Sequence, residues 1–256
     1  MMTNKNTLST KFIAIGHRLW RWLTMLPTRF WRLGYHFYRG ITFQMSRKEY
    51  WKDEAPHSSR ASVILLWILE FFVLLLEIIG VGELYETITD FAKFNTRPMH
   101  DWEIQLAQSI FGNSIDYQPV RIDERAWLGP KQYHFFYVSF HLINSWEQMP
   151  NHILIHELMH IWQYQRIGAI YTVRALIAQR TRMGYDYGGI RGIQEKIANG
   201  QSLLDFNLEQ QADVVADCFL LQQGYAPRWG KGNLEDLIIY QQFLRVLQQD
   251  LRGKIV

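Results

Sequence analysis

Residues 62–82 read SVILLWILEFFVLLLEIIGVG, and this run constrains the chain more than any other segment. As a helix, 21 such residues would extend about 31 Å, the thickness of a bilayer's hydrocarbon core. Two carboxylates interrupt it, Glu70 and Glu77; seven positions apart, they share one helical face. Fifteen Leu, Ile, Val or Phe residues contribute about −7 kcal/mol on an insertion scale, against roughly +3 for Glu70 near the centre and somewhat less for Glu77. The balance slightly favours insertion, so the expectation is a transmembrane helix over 61–83. The shared Glu70/Glu77 face would then be open to a partner helix or to self-association. A buried core helix of a soluble domain is the alternative.

The preceding segment fits a membrane. Residues 1–60 carry 11 Lys and Arg against 3 Asp and Glu, whereas 61–256 carry 16 against 21. Between 11 and 40, Arg18, Arg21, Arg29, Arg32 and Arg39 alternate with Trp20, Trp22, Phe30, Trp31 and Tyr38, a mixture suited to the headgroup layer. Nucleic-acid binding by stacking competes, but no DNA- or RNA-binding motif accompanies the arginines, so no nucleic-acid partner is expected. The apolar run begins too late for a cleavable signal peptide. Four Lys or Arg lie within 20 residues before the run and two within 20 after it, which predicts a cytoplasmic N-terminus and residues 84–256 outside, in the periplasm of a diderm bacterium. Hydrophobic residues at 48% and charged residues at 20% exclude wholesale disorder, a collagen-like fibre and a multi-pass membrane protein. A single cysteine, Cys218, excludes an internal disulfide framework and a cysteine-based zinc cluster.

Beyond the run, 101–112 reads as a short helix closed by Gly112. Residues 120–143, rich in Val, Ile, Tyr and Phe, read as a β-hairpin turning at Gly129-Pro130. Asn151 offers an N-cap for a helix through NHILIHELMHIWQYQR. Further helices are expected at 170–182, at 202–223 (closed by Gly224) and at 233–251. The fold class is α+β, divided into a basic tail (1–60), the span (61–83) and a small enzyme-like domain (84–256).

Within the 151 helix, His156-Glu157-Leu158-Met159-His160 is an HExxH motif. Histidines four apart project from neighbouring turns of one face and can share one Zn2+, while Glu157 can take a proton from the attacking water. Two packed or surface histidines on an amphipathic helix are the bland alternative. The best third ligand is Glu209, in NLEQQADVVAD (207–217), with Asp213 four residues on and able to hold the Nδ1–H of a ligand histidine. His134 and His141 on the hairpin, His100 and His152 are weaker ligands, and Asp217 reads as a solvated helix charge.

HELMHIWQYQ followed by EQQAD resembles the gluzincin metallopeptidases, in particular small bacterial zincin domains with HELxHxxQ followed by ExxAD. The resemblance covers roughly 100–225. The layout as a whole is similar to that of the peptidoglycan-cleaving L,D-endopeptidases of type VI secretion loci. It implies zinc held by His156, His160 and Glu209, Glu157 as general base, Asp213 as orienter, and an edge strand from 131–143 aligning an extended substrate. It also implies peptidoglycan as substrate, the inner membrane as site, and secretion-system membrane components as partners for the Glu70/Glu77 face. Tyr185 and Tyr187 in MGYDYGG are candidates for stabilising the transition state, against packing or turn roles. The residues predict metal-assisted amide hydrolysis. A peptidoglycan cross-link, a protein substrate, and a scaffold with a vestigial zinc site remain open as readings.

Overall fold

The computed structural model describes residues 8–52, 59–92, 96–126 and 135–248. It opens with α1, Leu8–Ile41, a helix about 51 Å long. Positions 18, 21, 29, 32 and 36 recur at the helical period, so Arg18, Arg21, Arg29, Arg32 and His36 form one stripe. That stripe faces a second rod made of α3, Arg60–Ile78, and α4, Val81–Ala92, joined at Gly80. The rods run antiparallel. Arg18 pairs with Asp90, Arg21 with Glu86 at 2.5 Å, Arg29 with Glu83 and Arg32 with Glu77 at 2.8 Å, and the His36 ring stacks on Trp67. A short helix, α2 (Arg47–Trp51), falls between the rods in sequence and carries Tyr50, whose hydroxyl donates to Glu70 at 3.0 Å.

The remainder is α+β. Strands β1 (Thr96–Pro98), β2 (Arg121–Asp123), β3 (Tyr137–Ser139) and β4 (Leu142–Asn144) form a sheet of order β1-β2-β4-β3. Its pairs are antiparallel except β2 with β4, which is parallel. The expected 120–143 hairpin is therefore corrected. The hairpin is β3–β4, turning at Phe140-His141, and β2 joins β4 in parallel, which needs a crossover connection rather than a two-residue turn. The proposed Gly129-Pro130 turn lies outside the described residues.

The helices are α5 (Asp101–Phe111), α6 (Asn151–Ile167), α7 (Ile170–Ala178), α8 (Gly189–Ala198), α9 (Leu208–Gln222) and α10 (Leu237–Phe243). Helices α6 and α9 pack together through Ile155, Leu158, Met159, Val214 and Val215, and Phe111, Ile122 and Ile143 close the core around them. The Cys218 thiol is buried there, and desolvation pushes it up to about 12.

By length and composition α3 is apolar enough to cross a membrane. Contacts cross the expected divisions at 60 and 83. Arg32 donates to the Arg166 carbonyl at 2.9 Å, Arg174 to Glu70 at 2.8 Å and Glu49 at 2.5 Å, and the Ala169 amide to Glu77 at 3.3 Å. A tail across a bilayer from 84–256 could not make these contacts. Glu70 and Glu77 are paired with this chain's own Arg174 and Arg32.

Gly168, which ends α6, has φ +67 and sits against the Arg32–Glu77 pair; a Cβ there would meet the Arg32 guanidinium and, at 2.6 Å, Glu77 Oε1. Gly168→Ala is expected to destabilise the chain by more than about 1 kcal/mol, read as a lowered midpoint in thermal unfolding of the detergent-solubilised protein.

Candidate metal centre

Helix α6 begins one residue from expectation: Pro150 is the N-cap, and its carbonyl accepts from the amides of Ile153 and Leu154 at 3.0 Å. Burial of Leu154, Ile155, Leu158, Met159 and Ile161 drives the helix into the core and takes His156 and His160 with it. Helix α9 starts at Asn207, whose side chain accepts from the Gln210 amide at 2.8 Å while Gln210 accepts from the Asn207 amide at 3.1 Å. This reciprocal cap fixes Glu209 in the first turn, where a carboxylate also meets the positive end of the helix dipole.

The two helices bring His156, His160 and Glu209 together, with one donor atom from each within 4.8 Å of the others. Glu209 Oε2 lies 3.2 Å from His160 Nε2 and 3.5 Å from His156 Nε2. The far nitrogens are held separately. His156 Nδ1 is 2.7 Å from Asp213 Oδ1, and His160 Nδ1 is 2.8 Å from Gln163 Oε1. The Gln163 amide is fixed because its Nε2 donates to the Leu208 carbonyl at 2.9 Å and Gln211 Oε1 at 3.0 Å. Its oxygen therefore faces His160, which makes Nδ1 a protonated nitrogen and leaves Nε2 as the atom that faces Glu209. The other Glu209 oxygen accepts from Gln179 at 2.9 Å, and Asp213 also accepts from the Trp229 indole.

The electrostatics follow from these contacts. Burial alone would lower the His156 pKa, but hydrogen bonds to Asp213 and Glu209 raise it to about 10. Burial alone would lower His160 as well, but the charge of Glu209 and the hydrogen bond to it together raise it. Glu209 moves the opposite way: burial would raise it, yet the two imidazoles hold it well below the usual carboxylate range. Glu157 is raised by burial, and its Oε2 has no hydrogen-bond partner among the described residues. Two imidazoles and a carboxylate converging with their outer atoms tied down form a donor set that fits a divalent ion with nitrogen and oxygen preference.

Of the two candidate tyrosines, the site takes one. The Tyr185 ring lies 6.1 Å from the His156 ring, centre to centre. Tyr187 is in the core, its hydroxyl donating to Asp217 at 2.6 Å and lying 2.7 Å from the Tyr240 hydroxyl; packing claims it. Asp217 is corrected as well. It is 1% exposed and also accepts from the amides of Arg228 and Trp229 at 2.6 and 3.1 Å, so it anchors a loop rather than a solvated face. His141 pairs with Glu86 at 2.8 Å and His100 starts α5; His134 lies outside the described residues. Gln163 and Gln179 join the site beyond the residues expected from sequence. Gln163 had a signal, three positions after His160 on the same face; Gln179 comes from the end of α7 and had none.

The class defined by this fold and cluster is an α+β chain with a buried His/His/Glu donor set on two packed helices. Over 137 residues the chain is 32% identical to the type VI secretion system spike protein VgrG2b of Pseudomonas aeruginosa. The match takes in 48% of this chain and 13% of that protein. No family model matches the chain, and no solved structure matches it.

Proposed function

We propose that this protein is a membrane-attached zinc peptidase that cleaves peptide cross-links of peptidoglycan in the service of type VI secretion. The observation that carries the reading is the meeting of both Nε2 atoms with Glu209 Oε2, beside a buried Glu157 oxygen that nothing else uses. Zinc held there would supply Lewis acidity toward a carbonyl and bring a water's pKa toward neutrality. Asp213 and Gln163 keep the two imidazoles in the ligating tautomer. Glu157 takes the proton of the attacking water and returns it to the leaving amine. Tyr185, kept protonated by burial, donates its hydroxyl to the carbonyl oxygen as charge develops there. Strand β3, at the end of the sheet order, offers its backbone to an extended peptide. The wall substrate and the secretion role are supported by the resemblance of the HExxHxxQ and ExxAD motifs, by an apolar anchor of bilayer length, and by the similarity to a spike protein of that system. The metal site would face the periplasm at the inner membrane.

The test is incubation of the zinc-loaded full chain with purified sacculi, followed by chromatography of the muropeptides. Loss of cross-linked species is expected. Intact cross-links with zinc bound would defeat the wall reading, and cleavage of unfolded protein in the same preparation would replace it with general proteolysis. Gln163→Ala is expected to weaken zinc binding about 10- to 100-fold, measured by competition with a chelating dye.

A further inference from the structure

The two rods are polar inside and apolar outside. Along 11–41 and 61–92, no exposed residue is Asp, Glu, Lys or Arg. All five arginines of α1 are buried or half-buried, whereas Trp20, Phe30, Trp31, Phe72, Leu76 and Ile88 are exposed. Water selects the reverse arrangement, and a protein partner would ordinarily meet a polar rim. An uncharged face two helices wide with exposed Trp and Tyr matches lipid.

An upright span does not fit the same geometry. The exposed apolar residues of α1 run from Phe12 to Ile41, about 44 Å along the helix and well beyond a hydrocarbon core of about 30 Å. Both ends of the hairpin are also bonded to one globular body. At the α2 end Lys52 donates to the Leu204 carbonyl at 3.0 Å and Arg174 to Glu49; at the α4 end Glu86 pairs with His141. A rod fixed to that body at both ends cannot cross a bilayer that the body does not enter.

We infer that the α1–α3–α4 hairpin lies in the membrane plane, its apolar outer face sunk into one leaflet, with both its ends and the metal centre on the same side. Interfacial helices bury such a face by about 5–10 Å. The inference is independent of zinc and of catalysis.

Two measurements test it. Gln44 and Asn199 are exposed and flank α3 in sequence. Gln44→Cys and Asn199→Cys are expected to react with membrane-impermeant maleimide from the same side in spheroplasts; reaction from opposite sides overturns the inference. Cys218, 1% exposed, stays silent. Nitroxides at Ile64→Cys, Leu69→Cys, Leu76→Cys and Ile88→Cys, in phosphatidylethanolamine–phosphatidylglycerol vesicles, are expected to report one shallow depth. A maximum at position 69 with shallower flanks would restore a spanning α3. Labels shielded by self-association, without lipid contact, would give the face to a second copy.

Discussion

Glu157→Gln is expected to lower hydrolysis by about 100- to 10,000-fold while leaving zinc content and stability unchanged or improved. The substitution keeps the shape and removes the proton acceptor. Glu157 is 4% exposed, its Oε2 makes no hydrogen bond among the described residues, and it is not one of the three converging donors. Most buried carboxylates are partnered, and removing one leaves a stranded cation; Glu157 Oε2 has no hydrogen-bonded cation to strand, so the loss would fall mainly on the chemistry. Metal content by atomic absorption and a thermal melt, run beside the sacculus assay, separate the outcomes. His160→Ala should behave differently, losing the metal and the activity together. A Glu157→Gln protein that holds zinc and fully sustains secretion would mean that the site is structural, and the scaffold reading would replace the enzyme.

The site was legible where its geometry is local. His156 and His160 share a face because they are four apart, and Glu209 and Asp213 do so for the same reason, so each half could be read from one helix. What brings the halves together is packing of α6 on α9, which no spacing encodes, and Gln179 enters from a third helix with no periodic signal. The sheet was read least well. Each of its strands is three residues long, too short for alternation to show, and the parallel β2–β4 pairing is nonlocal. Helix α8 carries no clear helical signal because glycines at 188, 189 and 192 crowd its start. The arginines of α1 form one group in the sequence, and in the structure their neighbours are carboxylates. Their stripe has a complement in Glu83, Glu86 and Asp90, spaced three and four apart on α4, and pairing the two stripes would have revealed the hairpin. A hydropathy sum over 62–82 could not, because it counts apolar residues without registering that the carboxylates among them point toward cations.

Glu70→Leu tests that arrangement with opposite signs for the two environments. On a helix surrounded by lipid, a carboxylate near the midpoint costs roughly 3 kcal/mol, so leucine would favour insertion and raise stability. Here Glu70 is 0% exposed, accepts from Arg174 Nε at 2.8 Å and from the Tyr50 hydroxyl at 3.0 Å, and lies 3.7 Å from His36 Nδ1. Leucine would leave the Arg174 Nε and the tyrosine hydroxyl without their acceptor, and breaking a buried pair from one side costs about 3–5 kcal/mol. Arg174 keeps Glu49 at 2.5 Å, which places the expected loss near the lower end, about 3 kcal/mol. Thermal unfolding of the purified full chain should show it as a clear drop in Tm. Glu70→Leu combined with Arg174→Leu should recover part of the loss, since an apolar pair can replace a buried ionic one at little net cost. A single variant as stable as the parent would detach Glu70 from Arg174, and with it one of the contacts that hold α3 against the body carrying the metal centre.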